Sequence, residues 1–248
     1  MCLGSNKLNI QLNEKPLSSK QKLPRWNSAL AYSVKNWPVL GPLLQKQLLF
    51  TTATQPHFED EALTRWFTNR LAQACSYLEF GSGGTTFLAG KLGIPFASKE
   101  SDLLFSLSVQ QTLREADLLS AQQLHIHADI GLTGNWGYPV FVKDLSQDQK
   151  SKFATYSDVP PMAQLPDLVL IDGRFRVACA LKCIKALRDQ SDWTIVVDDY
   201  IDRPKYHIIE QFAQLQEMVG RMAVFGPKPD IKMAALEQVL GDHLYDYR

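Results

Sequence analysis

The sequence predicts an α/β fold: a three-layer, doubly wound, mostly parallel sheet with a helical cap on its amino-terminal side. Three observations lead there. A short apolar run, Tyr77-Leu78-Glu79-Phe80, breaks at once into the turn Gly81-Ser82-Gly83-Gly84, and a helix opens on Thr85 and Thr86. Further short apolar runs end in polar or acidic bursts, where open α/β sheets place their ligand crevice. Between the runs, apolar residues recur at helical spacing.

The elements follow in order. Residues 1–22 form a polar tail without the apolar core of a signal peptide. Leu23 to Phe50 reads as a helical or irregular cap; its run Val39 to Phe50 is too short and too interrupted to span a bilayer. Glu61 to Ala74 is expected to be a lead-in helix, with Leu63, Trp66, Phe67 and Leu71 at apolar spacing. The cofactor-binding domain is expected over 75–248. Its second strand is Ile94 to Ser98, its third Gln123 to His127, and its fourth Pro166 to Ile171. The fourth is nearly continuous in apolar residues, as a strand buried on both faces should be. A helix over Val177 to Arg188 and a fifth strand over Trp193 to Val197 come next. Two apolar segments about Gly220, Leu215 to Val219 and Met222 to Phe225, read as a closing hairpin. A helix over Ile231 to Leu240 ends the pattern.

The glycine turn carries the first functional expectation. Glycines let a ligand approach main-chain N–H groups without meeting a Cβ. A carboxylate at Glu79, if it faced the ligand, would repel a pyrophosphate and suit a cationic amino-acid cofactor. The dinucleotide fingerprint fits Gly81 and Gly83, but its third small position falls on Thr86, which is β-branched. Glu100 stands about 20 residues past the loop, the spacing of an acidic residue that holds ribose hydroxyls. Asp102 is its near alternative, or the cap of the helix that follows.

Glu79, Gly81 and Gly83 resemble the acidic-x-Gly-x-Gly motif of class I S-adenosylmethionine-dependent methyltransferases, which have a Rossmann-like fold. The resemblance implies S-adenosylmethionine as cofactor, held by Glu79, Gly81, Ser82, Gly83 and Glu100. It also implies that Asp129 and Ile130, after the third strand, contact the adenine. The stretch Asp172 to Leu181, with Asp198-Asp199-Tyr200, Arg203-Pro204 and Tyr206-His207, is similar to a group of bacterial methyltransferase-like proteins. The likeness runs from about Tyr77 to His207 and names no acceptor.

Methyl transfer to an oxygen or protonated amine needs a base. Asp172, Asp199 and His207 are the candidates at the right sheet edge. Arg174 and Arg176 could fix a carboxylate or phosphate on the acceptor through forked donors, or pair with Asp198 or Asp199. Trp136 and Tyr138, in the glycine-rich loop 131–139, either stack on a planar or sugar acceptor or anchor the loop; Tyr200 is a further substrate-side candidate. Asp172 and Asp199 could share a divalent cation, but a metal-free site is preferred. His125 and His127 share a strand face, and a sheet-face or pocket-rim role is preferred to metal binding.

Charge and cysteines bound the partners. With 26 basic and 26 acidic residues the chain is formally neutral, and no basic run points to nucleic acid. The four cysteines lack a C-x-x-C spacing, which suits a cytoplasmic protein; Cys179 and Cys183 are expected to be small buried residues. A small-molecule or glycan acceptor is the expected partner. A cofactor-binding protein without catalysis, or another Rossmann-like enzyme such as a nucleotide-sugar transferase, remains open on sequence alone.

Overall fold

The computed structural model describes residues 54–248. The tail expected over 1–22 and the cap expected over Leu23 to Phe50 lie outside the described residues. Helix α1 (Glu61–Leu71) starts on Asp60, whose carboxylate accepts the Leu63 N–H at 2.7 Å, and buries Leu63, Phe67 and Leu71. Then come β1 (Tyr77–Phe80), α2 (Gly84–Lys91), β2 (Phe96–Glu100), α3 (Leu103–Glu115) and β3 (Gln123–His127). The second half holds α4 (Gln147–Tyr156), β4 (Leu168–Ile171), α5 (Arg176–Leu187), β5 (Thr194–Val197), β6 (Gln214–Val219), β7 (Met222–Gly226) and α6 (Met233–His243).

The sheet order is β3-β2-β1-β4-β5-β7-β6. The first five strands run parallel, and β7 enters antiparallel to β5 as half of the expected hairpin. The chain winds outward from β1 in one direction and from β4 in the other. The crevice between the ends of β1 and β4 is therefore the topological switch point, where ligands sit in open α/β sheets.

Strand alternation splits the core into two layers. Leu78, Phe80, Val169, Ile171, Ile195 and Val197 pack with the apolar residues of α5 and with Leu236 and Leu240 of α6. Tyr77, Phe96, Leu168, Leu170 and Val196 pack on the other face with Leu63, Phe67 and Leu71. Cys179 and Cys183 are buried in the first layer, and burial pushes the Cys179 thiol up to about 12, so both serve as small apolar residues. Helix α4 was not expected. Its carboxyl end is held by buried Lys99, whose Nζ donates to the Thr155 and Asp158 carbonyls at 2.9 and 2.8 Å. A cation there also complements the negative end of the helix dipole.

The segment after β5 is a 3₁₀ helix over Pro204–Gln211. The expected first and third strands match at both ends, and the ends of the other expected elements lie within three residues of those found. Asp102 caps α3 by accepting the Phe105 N–H at 3.0 Å.

At the switch point two backbones touch. Gly81 has φ +98°, and a Cβ on it would lie 2.8 Å from the Gly173 nitrogen. A Cβ on Gly173 would lie 2.2 Å from the Tyr156 hydroxyl oxygen and 3.0 Å from the Gly81 nitrogen. Gly81 therefore answers to a neighbouring strand end before it answers to any ligand. Gly173→Ala is expected to cost about 1–3 kcal/mol, the scale of an overpacked core. Adding Tyr156→Phe removes the nearest clashing atom. In urea unfolding the double variant should lose less than the two single losses combined.

Candidate functional site

A cavity of about 980 Å³ opens at the carboxyl edge of the sheet. Its walls include Gly81 and Ser82 after β1, Glu100 and Ser101 at the end of β2, and Asp172 to Arg174 after β4. Asp199, after β5, lines it as well. Phe105 of α3 and the loop residues Asn135 to Tyr138 close one side. A smaller recess of about 560 Å³ shares Glu59, Asp199, Arg203 and Arg221 with it.

Glu79 does not reach this cavity. Alternation along β1 puts it on the same face as Tyr77, beneath the start of α2. There it is fully buried and accepts from the Tyr77 hydroxyl and the Thr85 hydroxyl, each at 2.7 Å, and from the Thr86 hydroxyl. The expected cofactor contact is thus replaced by a clamp on the glycine turn. Burial raises its pKa, against the four hydroxyl donors that favour the anion. The Thr86 Oγ1 in turn accepts from the Gly83 N–H at 2.9 Å. Gly83 does not line the cavity, and open space stands where its Cβ would be.

A row of hydroxyls continues from this clamp. The Ser98 and Ser82 hydroxyls lie 2.9 Å apart, and the Ser82 hydroxyl lies 3.5 Å from His125 Nδ1. His125 Nε2 lies 3.0 Å from the Ser106 hydroxyl. Burial drives the His125 pKa down to about 4; the Ser106 carbonyl opposes this and His127 adds to it. The histidine face is a polar buttress rather than a metal pair.

Glu100 does stand in the cavity. Its Oε2 accepts the Ser82 N–H at 3.1 Å and its Oε1 accepts the Asp102 N–H at 2.8 Å, which fixes the plane of the carboxylate. The loop after β3 is pinned above it. The Thr133 hydroxyl donates to Asp102 at 3.1 Å, and Gly134 and Tyr138 bond across the loop at 2.7 Å. Asp129 and Ile130 are corrected to structural roles. Asp129 is exposed, accepting from Gly131 N–H at 2.7 Å and pairing with Lys152 at 3.1 Å, while Ile130 is core. Neither lines the cavity; Ser101 and Phe105 do.

Beyond β4 and β5 lie three carboxylates and three guanidiniums. Oxygens of Asp172, Asp198 and Asp199 approach within 4.8 Å of one another. Arg176 bridges Asp172 and Asp199, each at 3.2 Å, and also donates to the Gly173, Asp172 and Asp198 carbonyls. Arg221 grips Asp198 with two donors, at 2.8 and 2.7 Å. Arg203 holds Asp199 at 3.0 Å. Burial pushes Asp198 up, but this forked grip more than reverses it, and its pKa ends below the ordinary value. Asp172 goes the other way. Its side chain is 40% exposed at the cavity, yet the partial loss of hydration together with the neighbouring Asp198 and Asp199 outweighs Arg176, so its carboxyl is held above the usual range.

Arg176, expected either on the acceptor or paired with Asp198 or Asp199, lines the cavity and takes the paired arrangement, with its donors directed to carboxylates and carbonyls. Asp199 is likewise engaged by three arginines. His207 and Tyr200 are brought together but away from the cavity. His207 is exposed, with its ring 5.0 Å from that of buried Tyr200, whose hydroxyl donates to Glu210 at 2.8 Å. Arg203, only four residues after Asp199, went unassigned although it is a near neighbour in sequence, whereas Arg221 follows the turn between β6 and β7 and only the fold returns it to Asp198 and Asp199.

Backbone strain gathers here too. Trp136, Phe175 and Asp199 have φ of +58°, +54° and +54°. Such conformations in bulky residues persist only where their surroundings enforce them, and they cluster at functional sites.

No protein-family model matches the chain, and no curated protein matches it. Among solved structures, a methyltransferase-like protein from Silicibacter pomeroyi is 28% identical, with a TM-score of 0.61; the match covers 75% of this chain and 98% of that one. An O-methyltransferase from Bacillus cereus in complex with SAH is 14% identical, with a TM-score of 0.42, covering 82% and 94%. An SAH-bound methyltransferase from Podospora anserina is 11% identical, with a TM-score of 0.44, covering 83% and 98%. In strand order and in its likeness to the first of these, the chain has the Rossmann-like methyltransferase fold. Among the described residues, no helix is long and apolar enough to cross a membrane.

The buried histidine gives a pH signature. The folded His125 pKa of about 4 lies below its ordinary 6.5, so the unfolded chain binds the extra proton between these values. The stability it contributes is complete above about pH 6.5 and is lost as pH falls toward 4. Urea midpoints across that window should fall with acid in the unmodified protein, and the slope should flatten in His125→Gln.

Proposed function

We propose that this chain transfers a methyl group from S-adenosylmethionine to an oxygen of a small-molecule or sugar-type acceptor in the cavity at the switch point. The observation that carries the reading is Glu100: a carboxylate at the end of β2, facing the cavity beside the Gly81-Ser82 turn. That is where the two hydroxyls of a ribose are held in this architecture. The residues present fit the cofactor. At the β2 end of the cavity the lining charge is the Glu100 carboxylate, with Asp102 beneath it, and Ser101 and Phe105 provide the wall on the adenine side; the four lining arginines stand at the other end, with Asp172 and Asp199. The likeness to a methyltransferase-like protein supports the same reading.

When bound, the cofactor supplies an electrophilic methyl on a sulfonium. The rest falls to this chain. Gly81 and Ser82 set the floor against which the ligand lies, and Glu100 orients it. Asp172 follows β4 at the Gly81–Gly173 contact, so it stands between the cofactor side and the open side of the cavity. A carboxyl held above its usual range is a better proton acceptor near neutrality, and Asp172 takes the proton from the acceptor oxygen. Arg176 fixes its direction. Asp199 serves the arginine network, and His207 has no part in the transfer. The three guanidiniums balance the charge of Asp172, Asp198 and Asp199, and the step needs no metal.

The Asp172–Arg176 pair also favours a second reading, a domain that binds the cofactor without catalysis, because an ion-paired carboxylate can be purely structural. Activity separates the two.

Calorimetry on the full chain should show micromolar binding of S-adenosylmethionine or S-adenosylhomocysteine. Glu100→Gln should weaken it about tenfold, the scale of a lost charge-assisted hydrogen bond. Saturable NAD binding with no response to either sulfur nucleoside would sink the reading. In a methyl-transfer screen of metabolites and glycans, Asp172→Asn should keep cofactor affinity within a few-fold and lower turnover about 10²-fold. Undiminished turnover in that variant would remove Asp172 as the base.

A further inference from the structure

One guanidinium at the cavity is treated differently from its neighbours. Arg176, Arg203 and Arg221 each pair with carboxylates, whereas among the described residues no ion pair joins Arg174 to one. Yet Arg174 lines the cavity and is only 7% exposed. Its Nε is shut from solvent and has no hydrogen-bond partner. Its guanidinium instead lies over the Tyr138 ring, 4.2 Å from the centroid. Burying a charge without a counter-charge is costly, and so is leaving a buried donor unmet. A carboxylate or phosphate presented from the cavity to the terminal Nη edge of the guanidinium would supply the missing counter-charge through two parallel N–H donors, while the buried Nε stays behind it.

A second, independent observation concerns the rim. Trp136 lines the same cavity while 86% exposed, and its backbone is left-handed at φ +58°. A large apolar ring is thus held out in water in a conformation that costs of order 1–3 kcal/mol. The Tyr138 contact offsets only part of the cost of burying the Arg174 charge, and the exposure of Trp136 offsets none of its backbone strain. A ligand that is anionic at one end and flat along its body would use both.

We propose that the acceptor is an anion on a planar body, its carboxylate or phosphate seated on Arg174 and its flat face against Trp136. This deepens the methyl-transfer reading by naming the acceptor class. The proposal rests on that reading only for the role of the ligand, not for its binding. The Tyr138 ring holds the guanidinium from below, so Arg174 arrives oriented. Burial raises the Tyr138 hydroxyl pKa, but the Arg174 and Arg203 charges outweigh it, so the phenol lies below its ordinary value.

Benzoate, phenyl phosphate, benzamide and inorganic phosphate are titrated into the full chain, with and without saturating S-adenosylhomocysteine. Calorimetry and tryptophan fluorescence are read. At least one of the two aryl anions should bind about tenfold or more tighter than neutral benzamide, and which one wins tells carboxylate from phosphate. Arg174→Gln should abolish that preference while leaving S-adenosylhomocysteine affinity within twofold. If Arg174→Gln does not fold, Arg174→Lys serves instead, because an ammonium keeps the charge but loses the planar fork; the preference should then drop several-fold. Trp136→Ala should weaken both aryl anions and leave inorganic phosphate unchanged. Equal binding of benzoate, phenyl phosphate and benzamide, or a preference indifferent to the Arg174 variants, overturns the proposal. An anion preference that depends on Arg174, in a protein that binds neither sulfur nucleoside, keeps the anion site and defeats the methyl-transfer reading.

Discussion

The contact between the Gly81 and Gly173 backbones is the constraint on which the site depends. Two parallel strands diverge in connection at this point, β1 leading toward β2 and β4 toward β5, and their ends must meet without side chains between them. A Cβ on Gly81 would strike main-chain atoms of Gly173, which cannot rotate away, and one on Gly173 would strike the Tyr156 hydroxyl before it met the Gly81 backbone. The contact sets how far Ser82 and Asp172 stand from each other, and hence the width of the crevice. Tyr156 closes the arrangement from α4, with its hydroxyl accepting the Arg174 N–H at 3.3 Å. The glycine turn, the fourth strand and an otherwise peripheral helix thus form one unit.

The arginine–aspartate cluster is the second such unit, and its parts come from distant sequence. Asp198 is fully buried and would be expensive alone; Arg221, from the turn between β6 and β7, neutralises it with two donors. Arg176 opens α5 and reaches the carbonyls of both neighbouring strand ends. The closing hairpin is therefore more than an edge to the sheet. It delivers the cation that lets three carboxylates crowd at the crevice; desolvation first, and then that crowding, lifts Asp172, while the Arg221 grip holds Asp198 down.

Much of the fold was legible because its signals are local. Continuous apolar runs marked β4 and β5, glycines marked the first turn, and Gly220 marked the hairpin. Helix α4 was missed because its apolar face is thin: only Phe153 and Tyr156 are buried, and its carboxyl end depends on Lys99 from β2. The site was legible by strand end but less so by side chain. Motif position pointed to Glu79 as a ligand, whereas period-two alternation in β1 turns it to the Tyr77 face. Asp129 lost its expected role to Lys152 and Gly131, neighbours that the motif does not specify. Arg174 and Arg176, two residues apart, looked equivalent. A left-handed Phe175 stands between them; both reach the cavity wall, but Arg176 is tied to Asp172, Asp199 and strand-end carbonyls while Arg174 lies against the Tyr138 ring.

That separation orders the charge of the crevice. On the β2 side stand the carboxylates of Glu100 and Asp102; on the β4 side stands Arg174, without an ion-paired carboxylate among the described residues; Asp172 lies between, with its pKa raised. The proposed transfer needs a cation and an anion brought together with the nucleophilic oxygen aimed between them. A crevice negative at one end and positive at the other favours one direction of approach for each partner, and it disfavours the reverse by placing like charges together. Positioning of this kind can supply several kcal/mol of a methyl transfer, because alignment dominates the barrier once the electrophile is bound. Pairing Asp172 with Arg176 rather than with Arg174 serves the same end: it leaves Arg174, held against the Tyr138 ring, free of competition from the carboxylate beside it when an anion enters.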